Sequence, residues 1–320
     1  MAKIKDFDFN DEAVITAKVS SLSERKTTAG SPYFSFHVFD GEEKIEAKIW
    51  NVTPEIHDTL VAGDVYIFKG RIKEYQGKKQ FNIVSLERLD ETQNDLSSFY
   101  EFAPVSLVEL KELIYGYIDK IENSVIREIT KEVIKQNEDK YFLFQAGVSL
   151  HHAYFSGLAY HCYSMLDLAD VLLKRYEGIN SDLVYAGIIL HDVGKVVEFS
   201  KANGPSYTDS GNLMGHLFIG ANMVEEAAVR LGYTDTEEVL NLVHIILSHH
   251  GDPDKGAVKP PKTLEAVVVH LCDYVDSRLA GLTVSMRDVE PGKYSEPLLM
   301  FEKETFRKAN LKLPVAKKKK

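Results

Sequence analysis

The chain predicts a multidomain protein: an N-terminal all-β barrel followed, after a linker, by an all-α bundle. Three observations predict it. Residues 13–89 alternate apolar and polar side chains and are broken by the turn pairs Asp40-Gly41 and Gln76-Gly77. From Ser106 onward nearly every apolar segment repeats at helical spacing. Between them the chain turns polar, then aromatic, and reaches Pro104, as linkers do. With 320 residues there is room for two proper cores. The expected boundaries are 1–90 for the barrel, 91–105 for the linker, 106–290 for the bundle and 291–320 for a C-terminal extension.

In the barrel, strands are expected over Ala13–Val19, Tyr33–Phe39, Lys44–Trp50, Asp64–Glu74 and Lys79–Leu89, with a short helix in Val52–Leu60. Five strands with a helix between the third and fourth is the order of an OB-fold. The alternation turns Phe34, Phe36, Val38, Ile45, Ala47 and Ile49 inward. Tyr33, Ser35, His37, Lys44, Glu46, Lys48 and Trp50 then face out. OB-folds bind oligonucleotides on the face of strands two and three, stacking bases on aromatic rings beside basic groups. Tyr33, His37, Lys48 and Trp50 are therefore candidates for nucleic-acid binding. Two basic loops, Arg25–Thr28 and Lys73–Lys79, flank them, and Lys73 and Lys78 join the set. Any one of these aromatics can equally be core, and any one lysine merely solubilising.

In the bundle, periodicity runs from Ser106 through Ile121 to about Lys135, resumes over 141–185 with a break near Gly178, and covers Leu217–Leu231, Glu237–Leu247 and Leu264–Leu279. A last short helix is expected at Leu298–Ala309, and the Lys317–Lys320 tail reads as a solvated end. The net charge of −10 argues against a broad basic surface wrapped by nucleic acid and leaves room for a small patch. Two cysteines, Cys162 and Cys272, make no disulfide framework. With no signal-peptide core and no membrane-spanning run, the expectation is a cytoplasmic protein without a membrane partner.

The chemistry centres on Leu190-His191-Asp192-Val193-Gly194-Lys195. An imidazole beside a carboxylate suits Mn, Fe, Co or Zn, and the carboxylate can bridge two ions. Lys195 can hold a phosphate as a point charge. Alone, such a pair is more often a turn or a helix end. Here partners follow in order, beside or within helical patterns: His161 upstream, then His216, His249-His250 and Asp273. Neighbouring side chains on a regular helix point about 100° apart, so two adjacent ligands fit best where a helix ends. His191-Asp192 and His249-His250 both fall at such places. His270 reads as a residue behind a ligand, Asp276 as secondary to Asp273, and His244 as a core histidine; His151 and His152 are left between substrate contact and structure.

The order His … His-Asp … His … His-His … Asp over about residues 150–280 resembles the HD-domain superfamily of metal-dependent phosphohydrolases, in its two-metal form. The resemblance implies one ion on His161, His191, Asp192 and Asp273. It implies a second on His216, His249 and His250, with Asp192 bridging and Lys195 facing substrate phosphate. Asp192 and Lys195 are then the catalytic candidates. An OB-fold before an HD-domain helical bundle further resembles the YhaM family of bacterial 3′-to-5′ exoribonucleases. That likeness is carried also by His151-His152-Ala153-Tyr154, Leu247-Ser248-His249-His250-Gly251 and His270-Leu271-Cys272-Asp273, with a departure at Gly256–Pro260.

The resemblance implies a hydrolase that removes nucleotides from the 3′ end of single-stranded RNA, and of single-stranded DNA as a second substrate. Two divalent ions are implied, with Mn preferred and Fe, Co or Zn open. A homo-oligomer is expected, because several OB modules add avidity that one small module lacks. Two rivals stand beside it: an HD phosphodiesterase acting on a small cyclic or alarmone-type nucleotide, and a nucleic-acid-binding protein with an inactive HD domain.

Overall fold

A computed structural model describes residues 2–89, 97–147, 152–202 and 206–311. The chain divides into two compact units, Met1–Phe102 with Phe199–Ser206, and Ala103–Glu198 with Tyr207–Lys320. Residue 90, residues 91–96 of the linker, His151 and the Lys317–Lys320 tail lie outside the described residues.

The first unit is a closed five-stranded barrel. Its strands are β1 (Glu12–Lys26), β2 (Pro32–Phe39), β3 (Lys44–Ile49), β4 (Val65–Tyr75) and β5 (Lys78–Arg88), in the order β1-β2-β3-β5-β4. Helix α1 (Pro54–Thr59) lies between β3 and β4, with Thr53 capping it through the Ile56 amide at 3.3 Å. The inward set is as the alternation requires: Phe34, Phe36, Val38, Ala47 and Ile49 are buried, and Ile45 is partly so. Each such large apolar side chain contributes about 1.5–3 kcal/mol on full burial.

Three details differ from expectation. Ser35 takes its outward place in the register, yet it is buried and donates to Glu46 at 3.3 Å. Arg25 and Lys26 are strand, not loop. A register shift between Ser20 and Ser23, with Ser21 at φ 55°, bends β1 so that its first half pairs with β4 and its second with β2. The loop read over Lys73–Lys79 shrinks to Gln76-Gly77, because the β4–β5 ladder continues to the Tyr75–Lys78 pair; Lys73 and Lys79 keep the strand places expected for them.

The second unit is helical. Its helices are α2 (Leu107–Asp119), α3 (Ser124–Gln136), α4 (Glu138–Leu143), α5 (Gly157–Arg175), α6 (Ser181–Leu190), α7 (Lys195–Glu198), α8 (Asp209–Leu231), α9 (Glu237–Ser248) and α10 (Leu264–Ser285). One core joins them, through Ile114, Leu166, Ile189, Val224, Ile246 and Val269 among others. The periodic run from Ser106 is interrupted at Glu122-Asn123. There the amides donate to Asp182, and the Asn123 side chain caps α3.

The helix expected over Leu298–Ala309 does not form. Glu302 and Lys303 have positive φ and reverse the chain, so Leu298 bonds Glu304 and Ser295 bonds Phe306 across a short two-stranded turn. Among the described residues no helix is long and apolar enough to cross a membrane.

Candidate metal centre and nucleic-acid face

Three helix ends and two mid-helix faces bring the ligand-type side chains together. His191 is the residue that ends α6, and Asp192 follows in the turn toward α7. His249 ends α9 in the same way, and His250 follows. Gly215 has φ 72° and breaks α8, so His216 starts a fresh helical run. The turn after His191 packs tightly on that run: a Cβ on Gly194 would lie 2.1 Å from the His216 carbonyl oxygen, so only glycine fits. His161 lies within α5, and Asp273 within α10, where His270 and Asp276 share its face at spacings of three.

All seven candidate ligands are brought together. His161, His191 and Asp273 place one donor atom each within 4.8 Å of one another, and so do His216, His249 and His250. Asp192 stands between the two sets. Its Oδ2 is 3.3 Å from His191 Nε2, and its Oδ1 is 3.3 Å from His216 Nε2 and 3.7 Å from His249 Nε2. His161 Nε2 is 3.3 Å from Asp273 Oδ1.

These residues fit divalent metal ions. The His191 and His216 Nε2 atoms and Asp192 Oδ1 are buried and make no hydrogen bond among the described residues. A buried polar atom left in that state costs about 1–3 kcal/mol, which coordination of a cation removes. The opposite nitrogens are all held: His191 by the Ile188 carbonyl at 2.7 Å, His249 by the Ile246 carbonyl at 2.8 Å and His250 by the Lys255 carbonyl at 3.1 Å. Asp192 pairs with Lys195, Asp276 faces His161 and Glu198 faces His216, so these carboxylates outnumber the lysine beside them and leave negative charge when the imidazoles are neutral. Imidazole and carboxylate without thiolate suit Mn, Fe, Co or Zn.

The electrostatics follow from this crowding. Burial pushes the Asp192 carboxyl up, but Lys195 and His191 outweigh it and hold it well below the usual carboxylate range. Burial likewise opposes ionisation of Asp273, and His161 and His191 reverse it. For His161 burial favours the neutral ring, yet Asp273 and Asp276 raise it to about 9. Burial, His191 and His250 keep His249 well below the imidazole range and neutral.

Lys195 is placed differently from the expected phosphate contact. Its Nζ donates to Asp192 Oδ2 and to the Ala146 carbonyl, both at 2.6 Å, and the residue is buried. Its ammonium favours the ionised form of the Asp192 carboxyl. Three residues behind the ligands were not assigned from sequence. Asp276 Oδ2 meets His161 Nδ1 at 2.6 Å and His152 Nε2 at 2.7 Å, and Glu198 Oε1 meets His216 Nδ1 at 3.0 Å. His270 does bond a ligand residue, through the His249 carbonyl at 2.7 Å. His244 is only partly buried and accepts the Lys262 amide at 2.9 Å.

On the barrel, pairing register sets one outward face. Ser35, Lys48, Asn82 and Arg71 are consecutive neighbours across β2, β3, β5 and β4, and so are His37, Glu46, Gln80 and Lys73. Tyr33 and Trp50 stack with ring centroids 4.8 Å apart. Lys48 Nζ lies 5.4 Å from the Trp50 ring, 6.0 Å from Tyr33 and 5.1 Å from Tyr75. Tyr75 and Asn82, which accepts the Trp50 indole N–H at 3.2 Å, were missed from sequence; an exposed aromatic just before Gln76-Gly77 was the available signal. Lys78 is exposed opposite Tyr75. Lys73 is partly covered and donates to Asn10 at 3.1 Å. His37 is half-buried, and burial, with Lys44 nearby, lowers its pKa.

Residues 158–278 match the sequence model of the HD domain, and residues 13–89 match that of an OB-fold nucleic acid binding domain. An OB-fold precedes an HD domain in this chain. Among solved structures the chain is similar to a domain of replication protein A from Methanococcus maripaludis, at 22% identity over 28% of this chain and 94% of that one, with TM-score 0.24. It is similar to the PriB protein from Ralstonia solanacearum at 20% identity over 25% of this chain and 98% of that one, TM-score 0.22. It is also similar to the HD domain of the phosphodiesterase PgpH from L. monocytogenes at 17% identity over 51% of this chain and 74% of that one, TM-score 0.29.

Proposed function

We propose that this protein is a metal-dependent phosphodiesterase that shortens single-stranded RNA from its 3′ end, and single-stranded DNA as a second substrate. The observation that carries the reading is the convergence of seven histidine and aspartate side chains in the HD domain of a chain that also has an OB-fold. An HD domain together with a nucleic-acid-binding fold supports a nucleic-acid phosphodiesterase. The 3′ polarity and the preference for RNA rest on the likeness to the YhaM family.

His161, His191, Asp192 and Asp273 would hold one divalent ion, and His216, His249 and His250 the other, with Asp192 shared. Manganese is the first choice. When bound, such ions lower the pKa of a water to give a nucleophile at neutral pH and offset charge on the phosphoryl oxygens. The chain's own part is to fix the donors. The carbonyls of Ile188, Ile246 and Lys255 hold three of the five imidazoles by Nδ1, so each offers Nε2. Lys195 keeps Asp192 an anion. On the barrel, Tyr33, Trp50 and Tyr75 offer π-faces to bases, and Lys48 offers a charge to the backbone. The protein works in the cytoplasm as a homo-oligomer.

The test is hydrolysis of a 5′-labelled single-stranded RNA with Mn²⁺, wild type beside Asp192→Ala. Stepwise shortening by wild type alone supports the reading. An intact oligomer with cleaved cyclic dinucleotide or alarmone moves the function to small nucleotides. Tight oligomer binding without turnover, unaffected by chelator, moves it to a binding protein. Shortening that persists in Asp192→Ala means that another site is responsible.

A further inference from the structure

The five candidate imidazole ligands are held in two chemically different ways. His191, His249 and His250 donate from Nδ1 to backbone carbonyls. His161 and His216 instead face carboxylates outside the ligand set. His161 Nδ1 is 2.6 Å from Asp276 Oδ2. His216 Nδ1 is 3.0 Å from Glu198 Oε1, which also accepts the His216 backbone amide at 3.1 Å. The division is one per set: His161 belongs with His191 and Asp273, and His216 with His249 and His250.

Neither carboxylate is placed by chance. Asp276 receives the Ser164 hydroxyl on Oδ1 and meets His152 Nε2 on Oδ2 at 2.7 Å. His152 is itself buried, holds a left-handed backbone at φ 46°, and meets the Tyr154 hydroxyl through Nδ1 at 2.6 Å. A bulky residue stays in that region only where its surroundings over-determine it. Glu198 is 7% exposed, and a Cβ on Gly211 would lie 2.4 Å from its carbonyl oxygen, so the start of α8 is seated directly on it. A carbonyl behind an imidazole sets its tautomer and orientation. A carboxylate does that and also makes the ring a stronger donor, by drawing its Nδ1 proton.

Resting on the dinuclear reading above, we infer that Asp276 and Glu198 are positioning residues, each dedicated to one ion: Asp276 through His161, and Glu198 through His216. Each site then has one strong, oriented imidazole, and the two ions can be loosened separately.

The test is Co²⁺ titration of the full chain, followed by visible absorption and by metal counting after desalting. Wild type takes two ions. Asp276→Asn weakens one by ~10- to 100-fold and leaves the other, and Glu198→Gln does the converse. A His250→Ala background, which keeps the His161 ion, assigns the site. There Asp276→Asn costs the remaining ion its affinity, and Glu198→Gln costs nothing more. Two ions in wild type with unchanged affinities in both variants overturns the inference and leaves the dinuclear reading standing, as does weakening of the same ion by both. Fewer than two ions in wild type overturns both. Should metal-free Asp276→Asn lose its helical circular dichroism, Ser164→Ala takes its place. It frees the same carboxylate on one side and should weaken the same ion by a smaller factor; an unchanged affinity for it overturns the assignment.

Discussion

The candidate metal centre and the outer face of the barrel are built on opposite terms. In the centre His161, His191 and His249 are at most 1% exposed, and every ligand imidazole is held from behind. On the barrel Trp50 is 44% exposed and Tyr75 51% exposed, and Lys48 is surrounded by ring faces with Glu46 at 3.5 Å. The difference teaches what each surface asks of its residues. Holding small cations needs donor atoms fixed before binding, because misplacing one by an ångström forfeits much of the coordination. Holding a flexible strand needs broad π-faces with a charge beside them, which tolerate any base and let go.

The sharpest way to break this contrast is at Asp192, the residue between the two ligand sets. Asp192→Ala removes an oxygen facing each set and leaves Lys195 buried against an alanine. Hydrolysis should fall by ~10³-fold or more, as when a preorganised charge array is dismantled. Metal content should fall from two ions toward none. In metal-free chain the unpaired ammonium should lower stability by about 3–5 kcal/mol, read from urea unfolding. An Asp192→Ala chain that keeps both ions would show that the sets do not meet at this residue.

A second test sharpens it through pH. In the metal-free chain burial disfavours a charged His161, but Asp273 and Asp276 raise it to about 9, so at neutral pH its ring is protonated. An ion must displace that proton. Metal affinity should therefore rise by about tenfold per pH unit below 9 on account of this group and level off above it. The stability sign is opposite. A raised folded pKa stabilises the metal-free chain fully below the unfolded value of about 6.5, and that contribution is lost as pH rises through 9. Titrations at pH 6, 7 and 8, with unfolding of the metal-free chain alongside, check both. The barrel face should show neither trend.

The same contrast explains what was legible in the sequence. The helix-end places of His191-Asp192 and His249-His250 were readable, because two adjacent candidate ligands call for a relaxed helix end, and α6 and α9 do end there. The barrel faces were readable because strand alternation has period two, and β2 and β3 keep it. The groups behind the ligands were not. His152 and Asp276 lie 124 residues apart, and no local pattern announces that they will touch. The spacing of Lys195 from Asp192 was visible in the sequence, and its bond to the Ala146 carbonyl was not. The C-terminal helix failed for a local reason: positive φ at Glu302 and Lys303, residue types that do not advertise it.

On the barrel the expected effects are smaller and confined to binding. Trp50→Ala and Tyr75→Ala should each weaken a single-stranded oligomer by about 1–3 kcal/mol, the range for loss of one stacking platform. Lys48→Gln should weaken binding evenly across sequences and lower the salt-dependence slope by about 1. In all three, KM for a long oligomer should rise while hydrolysis of a dinucleotide stays at the wild-type rate. Loss of dinucleotide hydrolysis would mean that the face serves the metal centre itself. Fluorescence anisotropy at two salt concentrations, with kinetics on both substrates, separates these outcomes.

The smallest effect is expected at Lys73. It shares a register row with His37, Glu46 and Gln80, so it faces the same way as the aromatic platform. Its ammonium, however, donates to Asn10 at 3.1 Å, and Glu46 lies within the row and takes the Gln80 amide at 2.6 Å. A phosphate reaching Lys73 must displace Asn10 and approach a carboxylate. Burial disfavours ionisation of Glu46, but Gln80 and Lys48 hold its pKa below the ordinary value, so that carboxylate stays charged at neutral pH. Lys73→Gln should therefore change oligomer affinity by only ~2-fold, against a clear loss for Lys48→Gln in the same assay, since a partly screened exposed charge is worth about 0–1 kcal/mol. A Lys73 effect equal to that of Lys48 would mean that the strand crosses the β4 side of the face and turns Glu46 aside as it binds.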